Sequence, residues 1–394
     1  VKLLHTSDWH VGKEIRGRSR IEEHRAVLEE IATIADERDV ELVIVAGDLF
    51  ETAAPSSEAE SVVYRALLRL AESGRRVAVL AGNHDNARRL QAVAPLLELG
   101  SVHVVTRPTR PDHGGVLRFS DRDGAPVQLA LVPFVSQRGI VRAADLMELA
   151  AFEAAQAYAE RLSRVIDALC AGFDADGIGL VAAHGFVQGG VIGGGERPAH
   201  LLDEYSIPVG AFPVTASYVA LGHLHRPQRI AGASAVHYCG SPLQLDFGET
   251  KDPNGVNVVE ARPGVPAIVD AVPLQSGRKL RILRGTPEEL VERATELTDD
   301  CWLRLDVEGP RSVGLGDELR YRIGDHVVDV IMQAADNPTA RAQSSRRGKS
   351  PHELFGEFLA ERQVDDERLT RLFAALLDEA SGGNEAAAAA GADA

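Results

Sequence analysis

Five short apolar runs in this chain stop at side chains that carry oxygen or imidazole donors, and few folds accommodate that repeat. Lys2 to Thr6 leads into Ser7-Asp8-Trp9-His10, Leu42 to Ala46 into Gly47-Asp48-Leu49-Phe50, and Val77 to Ala81 into Gly82-Asn83-His84-Asp85. Ile178 to Ala183 ends at His184, and Tyr218 to Leu221 at Gly222-His223-Leu224-His225. An apolar run that gives way to polar groups reads as a buried strand whose carboxyl end opens on a crevice. Helical patterns separate the first three runs. Glu22 to Arg38 carries Val27, Ile31, Ile34 and Ala35 at helical spacing. A second helix begins near Pro55, where Ser57 and Glu60 have capping-box spacing, and a third runs from Asn86 to Leu99. Strand and helix alternate, which predicts an α/β layered sheet. His24, early in the first helix, is expected to be a core histidine rather than a ligand.

The remaining sequence divides by composition. Arg107 to Gly124 reads as a loop or hairpin and Ala143 to Leu169 as a helix; Val236 to Tyr238, Gly255 to Glu260 and Ile268 to Leu274 read as closing strands of a second sheet. The glycines from 189 to 195 are not followed by Gly-Lys-Ser/Thr, so a rim loop is expected there rather than a phosphate loop. A boundary near Ser276 separates residues 1–276 from a small α+β module at 277–335, and 336–349 is an Arg- and Ser-rich linker. Residues 350–380 hold two amphipathic helices, with Leu354, Phe355, Phe358 and Leu359 on one face and Leu369, Leu372, Phe373, Leu376 and Leu377 on the other. Two short helices do not bury such faces alone, so a partner surface is expected. Residues 381–394, rich in Ala, are expected to be disordered.

With 394 residues and 45% hydrophobic composition the chain is long enough for two or three cored domains. No apolar run approaches a membrane span, and Val1 to Leu4 passes straight into polar residues, so a cytoplasmic location without a cleaved leader is expected. Cys170, Cys239 and Cys301 are scattered, which argues against a disulfide framework. The net charge of −16 argues against strong DNA affinity through the surface at large. A local cation cluster escapes that argument, because screening confines each charge to roughly 8 Å.

Such a cluster is what the strand ends suggest. Asp8, His10, Asp48, Asn83, His184, His223 and His225 form a mixed oxygen and nitrogen set suited to two divalent first-row metals such as Mn²⁺. Asp8, His10, Asp48 and His225 would hold one and Asp48, Asn83, His184 and His223 the other, with Asp48 as the bridge. Two dications against two carboxylates leave about +2, enough to attract a phosphodiester. His84 stays outside the metal set, to protonate the departing oxygen or steady the transferring phosphate, with Asp85 orienting it.

Taken in order, these motifs resemble those of the calcineurin-like metallophosphoesterases, in their bacterial DNA-nuclease branch, and the resemblance runs from Lys2 to about Glu379. The protein-phosphatase branch places Asp-Arg shortly after Gly-Asp, whereas Leu49-Phe50-Glu51 follows here. The resemblance implies a four-layer α-β-β-α sandwich with a small α+β DNA-capping domain and a C-terminal helical hairpin. It implies a Mn²⁺-dependent 3′ to 5′ double-strand exonuclease, with single-strand and hairpin endonuclease activity, serving DNA repair, recombination and replication. It also implies a homodimer formed through Ser57 to Leu70 and Asn86 to Leu99. A coiled-coil ATPase would dock on residues 350–380, since no Walker motif is present here. Cys239 falls in a loop near the family's site and is given no catalytic role. Two other readings remain open, a scaffold that bridges DNA ends without cutting and a phosphodiesterase for small molecules.

Overall fold

Strands whose two faces are both apolar need cover on both sides, and the chain meets that need with two six-stranded sheets packed face to face between helices. The computed structural model describes residues 1–136, 151–193, 206–297, 300–309, 312, 314–333, 354–356, 358–359, 362 and 367–381. The first sheet has β1 (Lys2–Thr6), β2 (Leu42–Val45), β3 (Arg76–Leu80) and β4 (Val102–Val105) in parallel. In the second, β5 (Val116–Ser120) and β6 (Pro126–Val132) form a hairpin, and β7 (Ile178–His184) and β8 (Ala216–Gly222) continue parallel to β6. The short strands β9 (Gln228–Ile230) and β10 (Val236–Tyr238) complete it.

Alternation along each strand sorts the layers. Leu42, Ile44, Ala78 and Leu80 meet Leu129, Leu131, Leu180 and Ala182 between the sheets. Val43, Val45, Val77 and Val79 face outward beneath α1 (Ile21–Glu37), α2 (Ser57–Leu70) and α3 (Ala87–Glu98). On the far side α4 (Ala151–Cys170) lays Tyr158, Leu162, Ile166 and Leu169 on the second sheet. The four-layer α-β-β-α sandwich is therefore present, and the parallel strands bring their carboxyl ends to one crevice.

Some elements differ from the sequence reading. β11 (Gly255–Arg262) and β12 (Val265–Pro273) were expected in the second sheet and instead extend the first, where β11 runs antiparallel to β1 with Leu3 opposite Val259. The reason is that β1 would otherwise expose an unpaired edge, and β11 is apolar on both faces, with Val256 and Val258 under the helices and Val259 and Ala261 between the sheets. The cap of α2 is Ser56, whose hydroxyl accepts from Ala59 N at 3.2 Å, rather than Ser57. Glu60 reaches across to Arg89 on α3 at 2.7 Å instead of closing a box. The helix expected from Ala143 is seen from Ala151; its first residues, residues 194–195 of the rim loop, the linker and the start of the helix expected at Ser350 lie outside the described residues.

The third sheet, β13 (Lys279–Gly285), β14 (Cys301–Glu308) and β15 (Val327–Gln333), is wholly parallel. Its crossovers are α5 (Pro287–Thr295), opened by a Thr286 capping box, and α6 (Leu315–Ile323). The module thus alternates β-α-β-α-β, a more regular pattern than the α+β expectation. Leu290, Ala294 and Leu319 cover one face, while Leu280 and Trp302 on the other pack against Ile15 and Phe247 of the main body. In the C-terminal helices Phe355 stacks on Phe373 with ring centres 4.0 Å apart and α7 (Glu367–Ser381) leaves Leu372 and Leu376 exposed. Among the described residues no helix is long and apolar enough to cross a membrane.

One polar node sits between the sheets. His5 on β1 donates from Nε2 to the Leu221 carbonyl at 3.1 Å, and its Nδ1 accepts from the Tyr218 hydroxyl at 2.9 Å. Asn257 on β11 donates to the same hydroxyl at 3.2 Å. Burial holds His5 down to about 3, so the folded chain carries it neutral while the unfolded chain protonates it near 6.5. Its contribution is intact above about pH 6.5 and is lost as pH falls from there towards 3. A His5→Gln variant, melted between pH 7 and pH 4, should show a shallower fall in Tm than the parent; parallel curves would refute the assignment.

Candidate metal centre

The crevice depends on glycines as much as on donors. Gly47 has φ 95°, and a Cβ there would run into the His184 ring. A Cβ on Gly82 would strike the Asp48 carboxylate, and one on Gly222 the Ala46 carbonyl. Each of these glycines precedes a donor because the strand ends approach too closely for a side chain. Donor backbones are contorted as well: φ is 53° at Asp8, 46° at His10, 52° at Asp48 and 111° at His223. Such conformations cost on the order of 1–3 kcal/mol each and cluster where surrounding structure holds functional groups in place.

Among the described residues three overlapping groups result, each with its donor atoms within 4.8 Å of one another: Asp8, His10 and His225; His10, Asp48 and His84; and Asp48, His184 and His223. Asp48 Oδ2 lies 3.6 Å from His10 Nε2 and 3.4 Å from His184 Nε2, between the first and third groups. Asn83 joins the third through Oδ1, 3.0 Å from His184 Nε2 and 2.8 Å from His223 Nδ1. All seven expected ligands therefore meet in one crevice. His24 is outside these groups, buried with Nδ1 on the Arg20 carbonyl at 2.9 Å.

Acceptors behind the rings fix their tautomers. His10 Nδ1 donates to Glu51 at 3.0 Å, His225 Nδ1 to Glu249 at 2.8 Å and His184 Nδ1 to the Ala46 carbonyl at 2.7 Å. Each arrangement turns Nε2 into the crevice, where a cation would stand in place of a proton. His10 Nε2 is buried without a hydrogen-bond partner, as is His24 Nε2, but only the His10 nitrogen lies among other donor atoms, which fits a metal ligand. Burial keeps His10 down at about 3, hence neutral. Burial also opposes charge on His184, yet the neighbouring Asp48 carboxylate lifts it to about 9, and the same negative field would draw a cation. For Glu51, burial works upward, but the His10 hydrogen bond and the Lys13 ammonium bring it down to about 2. These clustered His and Asp groups fit a two-metal site.

His84, expected outside the metal set, belongs to the second of these donor groups, its ring centre 4.5 Å from that of His10 and its Nδ1 on the Glu51 carbonyl at 2.7 Å. Asp85 requires a correction. Its carboxylate accepts from Gly82 N at 2.9 Å, Phe50 N at 3.1 Å and Leu49 N at 3.3 Å, so it ties the β3 loop to the β2 loop, and the Glu51 carbonyl is what orients His84. Burial, then Asp48, pushes Asp85 up to about 7. Glu51, Glu249 and Phe134 were not anticipated. Phe134 stacks over His223 with centroids 6.4 Å apart and meets His184 edge-on at 6.2 Å. An acid three residues past Asp48 was a weak signal for Glu51; nothing local marks Glu249 or Phe134. Cys239 is buried 3.1 Å from the Ser7 hydroxyl, which donates to Asp8 at 2.6 Å, and burial pushes its thiol well up.

Replacing Gly82 by Ala should displace Asp48 and weaken divalent-cation binding by about 10-fold or more in calorimetric titration. Gly210→Ala, which faces open space, should leave it unchanged. Equal affinities in the two variants would refute the close-approach argument.

Comparison with known proteins agrees with this geometry. Residues 1–227 match the calcineurin-like phosphoesterase family. The chain is 30% identical to the SbcD component of the Bacillus subtilis nuclease SbcCD over 98% of its own length and 99% of that protein. It is 28% identical to the Escherichia coli K12 protein of the same name over 98% and 100%, and 33% identical to that of Rhodobacter capsulatus over 67% of each. With ligand groups, glycines and full-length similarity in agreement, the chain belongs to the calcineurin-like phosphoesterases, in the family of the SbcD components of SbcCD nucleases.

Proposed function

We propose that this metal-dependent phosphodiester hydrolase is the Mn²⁺-dependent nuclease subunit of an SbcCD-type complex. It would act as a 3′ to 5′ double-strand exonuclease and a single-strand and hairpin endonuclease. The observation that carries the reading is the convergence of seven donors from five strand ends on one buried crevice, with His84 beside them. Asp8, His10, Asp48 and His225 would hold one cation and Asp48, Asn83, His184 and His223 the other, Asp48 being common to both sets, with its Oδ2 between His10 and His184. Bound there, two divalent cations supply an activated water and neutralise charge on the phosphate oxygens.

The chain's own groups do the rest. The Glu51 carbonyl holds His84 Nδ1–H, so Nε2 is the nitrogen that steadies the phosphate or hands a proton to the departing oxygen. Glu51 and Glu249 keep His10 and His225 turned towards the crevice. Asp85 anchors the loop that carries Asn83 and His84.

The 277–335 module caps the crevice for DNA. Leu68, Leu96 and Leu99, exposed on and beside α2 and α3, support a homodimer through those helices. Leu369, Leu372 and Leu376, exposed on α7, support docking of an SbcC-type coiled-coil ATPase on residues 350–380, in the cytoplasm.

His84→Ala should lower Mn²⁺-dependent cleavage of hairpin DNA by roughly 10²–10⁴-fold while bound metal is preserved; undiminished cleavage would overturn the assignment. Truncation after Asn337 should abolish co-purification with the ATPase at unchanged metal content, and persistent co-purification would remove the docking role. Leu96→Glu combined with Leu99→Glu should yield monomers in sedimentation, and an intact dimer would exclude that interface.

A further inference from the structure

The cation group Asp8, His10 and His225 is connected to the 279–333 module by a continuous set of buried bonds. Glu249, buried on the short turn Phe247–Glu249, uses one carboxylate oxygen for His225 Nδ1 at 2.8 Å and the other for Leu245 N at 2.7 Å. Its backbone carbonyl accepts from Gln244 Nε2 at 3.2 Å, and the same Gln244 side chain accepts at Oε1 from Leu280 N, on the first strand of the module, at 2.7 Å. Phe247, between these two residues, packs against Leu280 and Trp302.

A second connection runs through a buried arginine. Arg20 donates to the Gln244 carbonyl and, at 2.8 Å, to Glu23. Glu23 in turn accepts from Trp302 Nε1 at 2.9 Å and from Arg278 N at 2.8 Å, with the Arg278 guanidinium 4.4 Å over the Trp302 ring. The loop that carries His10 at one end reaches the module at the other, where Arg16 pairs with Asp329 at 2.8 Å. On the opposite side of the crevice His184 is held by Ala46, inside the main body.

We propose that Gln244 and Glu249 are positioning residues through which the seating of the 279–333 module sets cation affinity at the Asp8, His10 and His225 group. The inference rests on the reading that those three residues hold a cation. A module seated on Gln244 keeps Glu249 behind His225, and a module that shifts loosens that ring while His184 keeps its own support. One cation site would then report whether the module is closed.

Mn²⁺ titration of the full chain by calorimetry tests this. The parent should bind two ions. Gln244→Ala should weaken one of them by about 10–100-fold and leave the other unchanged. Trp302→Phe, which keeps the ring packing and deletes the bond to Glu23, should weaken the same ion by a smaller factor. Two unchanged affinities in both variants would overturn the relay, as would equal weakening of both ions. A parent chain that binds fewer than two ions would instead overturn the two-cation reading, and the relay with it.

Discussion

Two sheets pinched together at their carboxyl ends, with no room for a Cβ between Gly222 and the Ala46 carbonyl, are the constraint on which the rest depends. Donors carried on separate strands converge only if the strands do. Small residues at the closing edge allow that approach, and the interior between the sheets, built from Leu42, Ile44, Leu129 and Leu180, sets the spacing behind it. The left-handed conformations at Asp8, His10, Asp48 and His223 follow, because a chain leaving a strand at so tight an edge has to turn at once.

A cation site also needs its rings aimed. Carboxylates and carbonyls on the far side of His10, His184 and His225 do this, so the crevice is arranged in depth: donors towards the centre, acceptors behind them and apolar layers beyond. Asp85 works in the same way on backbone rather than on a ring. Its three amide partners belong to two loops, and its carboxylate makes those loops a single unit.

How far the sequence is legible depends on the range of each signal. Strands such as Val77 to Leu80 are readable because an unbroken apolar run is a local signal, and ligands such as Asp48 and His223 because each stands at the end of such a run. Partnerships across the fold carry no local mark. Asp85 follows His84 in sequence yet serves Leu49 and Phe50, and Glu249 stands behind His225 from a turn 24 residues away. β11 reads as apolar in either sheet; only the open edge of β1 decides its place. The short β4 and the hairpin strand β5 lie in polar, Pro- and Gly-rich surroundings that mask their periodicity.

The pairing of β1 carries a consequence for how the chain comes to be folded. β1 gains β2 on one side early, since both lie within the first 45 residues. Its other side waits for β11, which begins at Gly255. During synthesis β11 therefore appears long after β1 and β2, and β1 keeps one bare edge over that interval. His225 also emerges late, so the hydrolytic crevice is assembled close to the moment when that edge is sealed. Until then the nascent chain holds Asp8 and His10 without the strand ends that complete them.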